Sequence, residues 1–125
     1  MTSEVPAGLR KWFVAHFVAD VAVGVPLFIA PRLLLGWFGW TEVDPAMSRV
    51  VAAALLGIGV QSLLARGESR EVFRAMLTLK VIWSTAAIAG IALSLLQGAP
   101  PMAAVFLGVF VVFSAVWWRY RLALA

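Results

Sequence analysis

The sequence predicts an all-α integral membrane protein: an up-down-up-down bundle of four transmembrane helices, with an interfacial segment between the first two. Of its 125 residues, 63% are hydrophobic and 13% are charged, whereas a soluble domain is about 45–50% apolar and about 25% charged. The mean hydropathy is +0.98. Four long apolar stretches, each long enough to cross a bilayer, are separated by short charged or Pro/Gly breaks. A small soluble domain has too little interior to hide this surface, so lipid must cover a single four-span domain.

The first span is predicted at about 9–29, where Gly24 and Pro26 loosen the far end. Arg10 and Lys11 precede this apolar run, but the run is as long as a full span, so we interpret it as retained rather than cleaved. The following stretch, 31–45, is too short and too broken by proline to cross a bilayer. It is rich in leucine and tryptophan, and tryptophan prefers the membrane interface, so we expect it to lie there.

The later elements are separated by residues that start or stop helices. Asp44 followed by Pro45 is typical of a helix start, with a capping side chain and a proline in the first turn. Gly67 ends the second span, and Ser69 can cap the third. Gly98 and the two prolines that follow shortly after it predict a turn. The remaining spans are therefore placed at about 46–65, 72–96 and 102–120.

The basic residues predict the orientation. Seven lie on the side that carries both termini and two on the opposite side, so the positive-inside rule predicts an inner-membrane protein with both termini in the cytoplasm. The net charge of +4 then indicates membrane lipids, with anionic headgroups as partners, rather than nucleic acid. Trp117, Trp118 and Tyr120 predict an aromatic belt on this cytoplasmic side. The seven residues are Arg10, Lys11, Arg66, Arg70, Arg74, Arg119 and Arg121, and the two are Arg32 and Arg49.

Four polar side chains are predicted at one level in the cytoplasmic half of the bundle: His16, Asp20, Gln61 and Lys80. Counting about 1.5 Å per residue places Asp20 and Lys80 about 12–13 Å deep, and His16 and Gln61 about 7–9 Å deep. His16 and Asp20 share one helix face because they are four residues apart. An unpaired charge at this depth costs at least about 2.5–3.5 kcal/mol, so we expect Asp20 and Lys80 to form an ion pair.

On the third span, Ser84 shares the face of Lys80, and Trp83 lies beside them. Three interpretations of this polar level remain open. In the first, the side chains hold the helices together. In the second, they form a proton relay or the polar end of a cavity. In the third, Lys80 extends toward the headgroups.

Small and aromatic residues predict how two spans pack. Ala53, Ala54, Gly57 and Gln61 lie on one side of the second span and predict close packing inside the bundle. On the fourth span Ala104, Gly108 and Ala115 predict the close-packing face. An aromatic stripe on the opposite face of this span predicts contact with lipid or a neighbouring subunit, or else a hydrophobic cavity suited to a quinone or a lipid. That stripe is Phe106, Phe110, Phe113 and Trp117.

Several chemistries are excluded by composition. The chain has no cysteine and one histidine, which excludes disulfides, iron–sulfur clusters and bis-histidine haem, and predicts no metal site. We predict no catalytic residue and no bound cofactor, with a quinone or a lipid as the alternative, so an enzyme is the less favoured class.

The size, the four-span layout and the stretch Arg49-Val-Val-Ala-Ala-Ala-Leu-Leu-Gly-Ile-Gly-Val-Gln-Ser resemble the DoxX-like group of small bacterial membrane proteins. The resemblance implies a four-helix membrane fold and, through some members of the group, a link to quinone-coupled redox systems. It carries over no catalytic residue.

The predicted function is that of a small membrane protein that binds or conducts a small ligand or a proton through the polar level. The candidate residues are His16, Asp20, Gln61, Lys80, Trp83 and Ser84. A small lipophilic or anionic ligand, a second copy of the chain and a larger membrane complex are the expected partners. The alternatives are a quinone-associated membrane subunit of an oxidoreductase and a purely structural or assembly module.

Overall fold

A computed structural model describes residues 5–125, and this part of the chain is all-α. Four of its helices are long and apolar enough to cross a membrane, which indicates a membrane protein. Their bounds agree with the four predicted spans to within three residues at either end. The helices are α1 (Ala7–Ile29), α2 (Pro31–Trp37), α3 (Pro45–Leu64), α4 (Arg70–Leu96) and α5 (Ala103–Ala123).

The helix starts follow the predicted capping residues. Asp44 Oδ1 accepts hydrogen bonds from the backbone N–H groups of Ala46 at 2.9 Å and Met47 at 3.3 Å. Ser69 Oγ accepts from the N–H of Val72 at 3.4 Å. Each cap satisfies donors that a helix N-terminus leaves without intrahelical partners. Both predicted helix starts are therefore confirmed.

The stretch predicted as an interfacial segment contains one short helix, α2, which the sequence analysis did not anticipate. Pro31 occupies the first turn of α2, where its missing N–H costs no hydrogen bond. The chain leaves α2 through Gly39, whose φ of 98° is in the left-handed region that favours glycine. Leu33 and Trp37 on α2 are exposed.

The chain divides into two compact units. The N-terminal unit, Pro6–Gly67, contains α1, α2 and α3. Its long helices pack along each other, with α2 in contact with both. Arginine side chains bond to backbone carbonyls near both ends of this pair: Arg10 Nη1 donates to the carbonyl of Arg66, and Arg49 Nε donates to that of Phe28 at 2.9 Å. These bonds satisfy carbonyls that helix C-termini leave free.

The C-terminal unit includes Glu68–Ala125, in which α4 packs on α5. Gly98, with a φ of 97°, lies in the turn between them. Polar side chains connect the two helices, because Trp118 Nε1 donates to Thr85 Oγ1 at 3.4 Å and Arg121 Nε donates to Thr78 Oγ1 at 2.9 Å. The pair is antiparallel, as the short turn requires.

The predicted packing face of α3 is wrong. Ala53, Gly57 and Gln61 are exposed, and a Cβ built on Gly57 would meet nothing within 4 Å. The buried face instead consists of Ala52, Leu55, Gly59 and Ser62. The physical reason is that Asp20 of α1 packs against Gly59, whereas nothing lies within 4 Å of a Cβ added at Gly57.

The predicted close-packing face of α5 is also wrong. Ala104, Gly108 and Ala115 are exposed, and Gly108 again has nothing within 4 Å of an added Cβ. The aromatic stripe is turned toward protein: Trp117 is fully buried, and Phe106, Phe110 and Phe113 are half-buried. Large aromatic rings fill the space beside α4 and bury far more surface than alanine or glycine would. Trp117 therefore does not belong to an interfacial belt.

Candidate functional site

A buried histidine–carboxylate pair lies in the N-terminal unit. His16 and Asp20 are four residues apart on α1, so both project from the face of this helix that packs on α3. They are only 4% and 6% exposed, and His16 Nε2 lies 3.3 Å from Asp20 Oδ2. This distance allows an ion pair when the imidazole carries a second proton. The side chains are in contact, as their spacing predicts.

Gly59 on α3 makes room for the carboxylate. A Cβ at this position would lie 2.6 Å from Asp20 Cβ, closer than real Cβ atoms approach, and 3.2 Å from Asp20 Oδ2. Asp20 therefore rests against bare backbone of α3. Gly59 is a residue of the site that the sequence analysis missed. Its spacing from Leu55 and Ser62, four and three residues away, is the signal that places it on the buried face.

Gln61 does not share this surface. It is exposed, whereas its neighbour Ser62 is buried and donates a hydrogen bond from Oγ to the carbonyl of Ile58 at 2.8 Å. Two residues turn an α-helix by about 200°, so a helix that presents Gly59 to α1 must turn Gln61 away. Gln61 is therefore turned away from the face of α3 that packs on Asp20, and its part in the polar level stays a prediction.

Lys80 in the C-terminal unit is buried against an aromatic ring. It is 2% exposed, and its Nζ lies 4.8 Å from the ring centroid of Trp117 on α5. An ammonium this close to an indole face is attracted by the ring quadrupole, and the attraction is strongest where water is excluded. Trp117 was predicted in the aromatic stripe of the fourth span, but its contact with Lys80 was not predicted. Its position three residues after the buried Ser114 marks the same helix face.

Ser84 and Trp83 lie one turn further along α4. Ser84 Oγ is 2.9 Å from Ser114 Oγ and 3.3 Å from the carbonyl of Val81, and either oxygen can accept its single proton. Trp83 packs edge-on against Phe110, with the ring centroids 6.1 Å apart. Its buried Nε1 has no hydrogen-bond partner among residues 5–125. These contacts connect α4 to α5.

The predicted candidates thus fall into two groups. His16 and Asp20 meet in the N-terminal unit beside Gly59. Lys80 and Ser84 share the buried face of α4 in the C-terminal unit. The ion pair between Asp20 and Lys80 stays a prediction.

The two groups differ in the chemistry they can perform. Histidine is the side chain that takes up and releases protons near neutral pH, and a carboxylate in contact can stabilise its protonated form. The ring beside Lys80 attracts the ammonium but cannot accept its proton. The contact between His16 and Asp20 therefore brings together two groups that can exchange a proton.

No family model, curated protein or solved structure matches this chain.

Proposed function

We propose that this chain is a four-span protein of the inner membrane, with both termini in the cytoplasm and α2 lying in the membrane interface. Four helices of sufficient length and hydropathy support the spans. Seven basic residues on the side of the termini against two on the other support the orientation. The exposed Leu33 and Trp37 support an interfacial α2.

Within this membrane protein, the His16–Asp20 pair is a proton-binding site that relays protons or couples proton uptake to the binding of a small ligand. The observation that carries the proposal is the 3.3 Å contact between two titratable groups that are both almost fully buried. Ionisable side chains in spans are costly and are kept mainly where they serve transport or hold helices together. Gly59 belongs to the proposed site, because its missing side chain lets the backbone of α3 pack directly against Asp20.

The membrane placement is tested with reporter fusions. A reporter active only in the cytoplasm, attached to either terminus, should be active, and one attached in the turn near Gly98 should be inactive. Recovery of the chain in the soluble fraction, or the opposite reporter pattern, would contradict the placement.

The proton site is tested in liposomes that contain the purified chain and a trapped pH-sensitive dye. After an acid jump, with valinomycin and potassium to balance charge, the wild-type chain should acidify the lumen faster than protein-free liposomes. His16→Gln, which keeps a polar group but loses the titrating ring, should slow this flux by about tenfold or more, since positioned acid–base groups contribute about 10²–10⁴-fold. Asp20→Asn should also slow it.

Ser62→Ala is the matched control, because Ser62 is a buried polar residue in the same unit that donates to a carbonyl on its own helix. It should conduct like the wild type. Wild-type flux no greater than that of empty liposomes would refute conduction. If His16→Gln slows the flux only because the variant unfolds, its helical circular dichroism will be lost. The flux through Asp20→Asn then decides whether the pair conducts protons.

A second candidate function is a membrane subunit that binds a quinone or another lipophilic molecule, as the DoxX-like resemblance implies. The observation that favours it is the buried Lys80 beside Trp117, with the aromatic stripe of α5 next to it. Quenching of tryptophan fluorescence by a soluble ubiquinone analogue, lost in Trp117→Phe but retained in Trp118→Phe, would support it. Equal quenching in both variants would refute it and would leave a structural role for these contacts.

A further inference from the structure

Arginines are concentrated at the end of the C-terminal unit where α4 begins and α5 ends. Four of them lie within the first turns of α4 and the last turns of α5, against two carboxylates, Glu68 and Glu71. The four are Arg70, Arg74, Arg119 and Arg121. The excess of positive charge at this end complements an anion.

One of these arginines is held in a fixed position. Arg121 Nε donates to Thr78 Oγ1 at 2.9 Å, and Thr78 Oγ1 in turn donates to the carbonyl of Arg74 at 3.0 Å. A threonine hydroxyl has one proton, so the bond to the carbonyl leaves its oxygen free to accept from Arg121. Thr78 therefore orients the guanidinium, whose Nη groups take no part in this bond.

A second guanidinium reaches the same side. Arg74 precedes Thr78 by four residues and is exposed, so it projects from the same face of α4 one turn, about 5.4 Å, nearer the end of the helix. A guanidinium offers a fork of N–H donors that matches the oxygens of a phosphate.

We infer that Arg121 and Arg74 bind the phosphate of an anionic lipid headgroup, with Thr78 as the residue that positions Arg121. The inference rests on the proposed orientation, which places this end at the cytoplasmic leaflet, where anionic lipids attract basic residues. This binding differs from a general electrostatic attraction, because it depends on Thr78, an uncharged side chain that positions Arg121. A diffuse basic surface would respond to net charge alone.

The test measures lipid retention by native mass spectrometry of the purified full chain in detergent. Phosphatidylglycerol and phosphatidylcholine with the same acyl chains are titrated separately, and the ratio of their apparent affinities is the readout. The wild type should prefer phosphatidylglycerol about tenfold or more. Thr78→Val, which leaves the charge unchanged, should reduce this preference about three- to tenfold, and Arg121→Gln should reduce it at least as much.

Two controls separate positioning from bulk effects. Thr78→Ser keeps the hydroxyl and should restore the preference. Arg32→Gln removes the same charge from an exposed arginine outside this end and should leave the preference at the wild-type value.

Four results would overturn the inference: no preference in the wild type, a Thr78→Val preference equal to that of the wild type, equal losses in Arg32→Gln and Arg121→Gln, or full displacement of the lipid by equimolar inorganic phosphate. The last would identify a site for free phosphate. If Thr78→Val loses its helical circular dichroism, the test is instead the lipid preference of Arg121→Gln compared with that of Arg32→Gln. A chain that integrates into membranes but shows no preference refutes this site alone, whereas a soluble chain refutes the proposed membrane function.

Discussion

Replacing Gly59 by alanine should destabilise the N-terminal unit, although alanine is the better helix former. The added Cβ would lie 2.6 Å from Asp20 Cβ. A Cβ is fixed by the backbone and has no rotamer in which to move away, so α1 and α3 must separate or bend. Inserting a methyl group into a packed contact costs about 1–3 kcal/mol.

Gly57→Ala supplies the matched control, because Gly57 lies in the same helix with nothing within 4 Å of an added Cβ. Both substitutions gain the same helix propensity, about 1 kcal/mol at most, so their difference isolates the contact with Asp20. We expect Gly59→Ala to be less stable than Gly57→Ala by about 1–3 kcal/mol.

The assay is reversible unfolding by sodium dodecyl sulfate in mixed micelles, followed by circular dichroism. The free energy of unfolding is compared between the two variants at the same detergent composition. Equal stability of the two variants, or greater stability of Gly59→Ala, would refute the close approach of α3 to Asp20. It would also remove the argument that Gly59 exists to admit the carboxylate.

Three further predictions use the same unfolding assay. If Asp20 and Lys80 form the predicted ion pair, Asp20→Asn should destabilise the chain and Lys80→Met should recover much of the loss, with a coupling of about 0.5–3 kcal/mol; additive effects would contradict the pair. Trp117→Phe keeps a π-face for Lys80 and should cost less than Trp117→Leu, by about 0.5–2 kcal/mol, and equal losses would exclude a cation–π contribution. Ser84→Ala should cost about 0.5–1.5 kcal/mol and add little in a Ser114→Ala background, whereas full additivity would show that the two hydroxyls do not interact.

The positions of the spans could be predicted because lipid imposes one length and because short polar residues mark the helix ends. A bilayer core about 30 Å thick requires about 20 apolar residues, and the four long helices satisfy this requirement. Asp44 and Ser69 cap the helices that they were predicted to start. Helix α2 was missed because leucine and tryptophan in a seven-residue stretch do not distinguish a short helix from an irregular interfacial segment.

The rotation of α3 and α5 about their axes could not be predicted from hydrophobicity. In a soluble protein, polar residues mark the outward face, but lipid tolerates apolar residues on every face. The rule that small residues mark a helix contact selected Gly57, which is exposed, while the same helix offered Gly59 two positions later. On α5 the aromatic rings, rather than Gly108, face α4.

Buried polar residues were the better markers of the inward face. His16 and Asp20 correctly mark the face of α1, and Lys80 and Ser84 that of α4. Gln61 was a poor marker of the buried face of α3, because a long amide side chain tolerates exposure. The buried Ser62 and Ser114 mark the faces that contain Gly59 on α3 and Trp117 on α5.

The two buried charged residues are accommodated by opposite means, and this difference bears on function. Asp20 packs against Gly59, which has no side chain, and it contacts the titratable ring of His16. Lys80 contacts the large ring of Trp117, which attracts a cation but exchanges no proton. The histidine in contact with Asp20 therefore supports the proposal of proton exchange at α1.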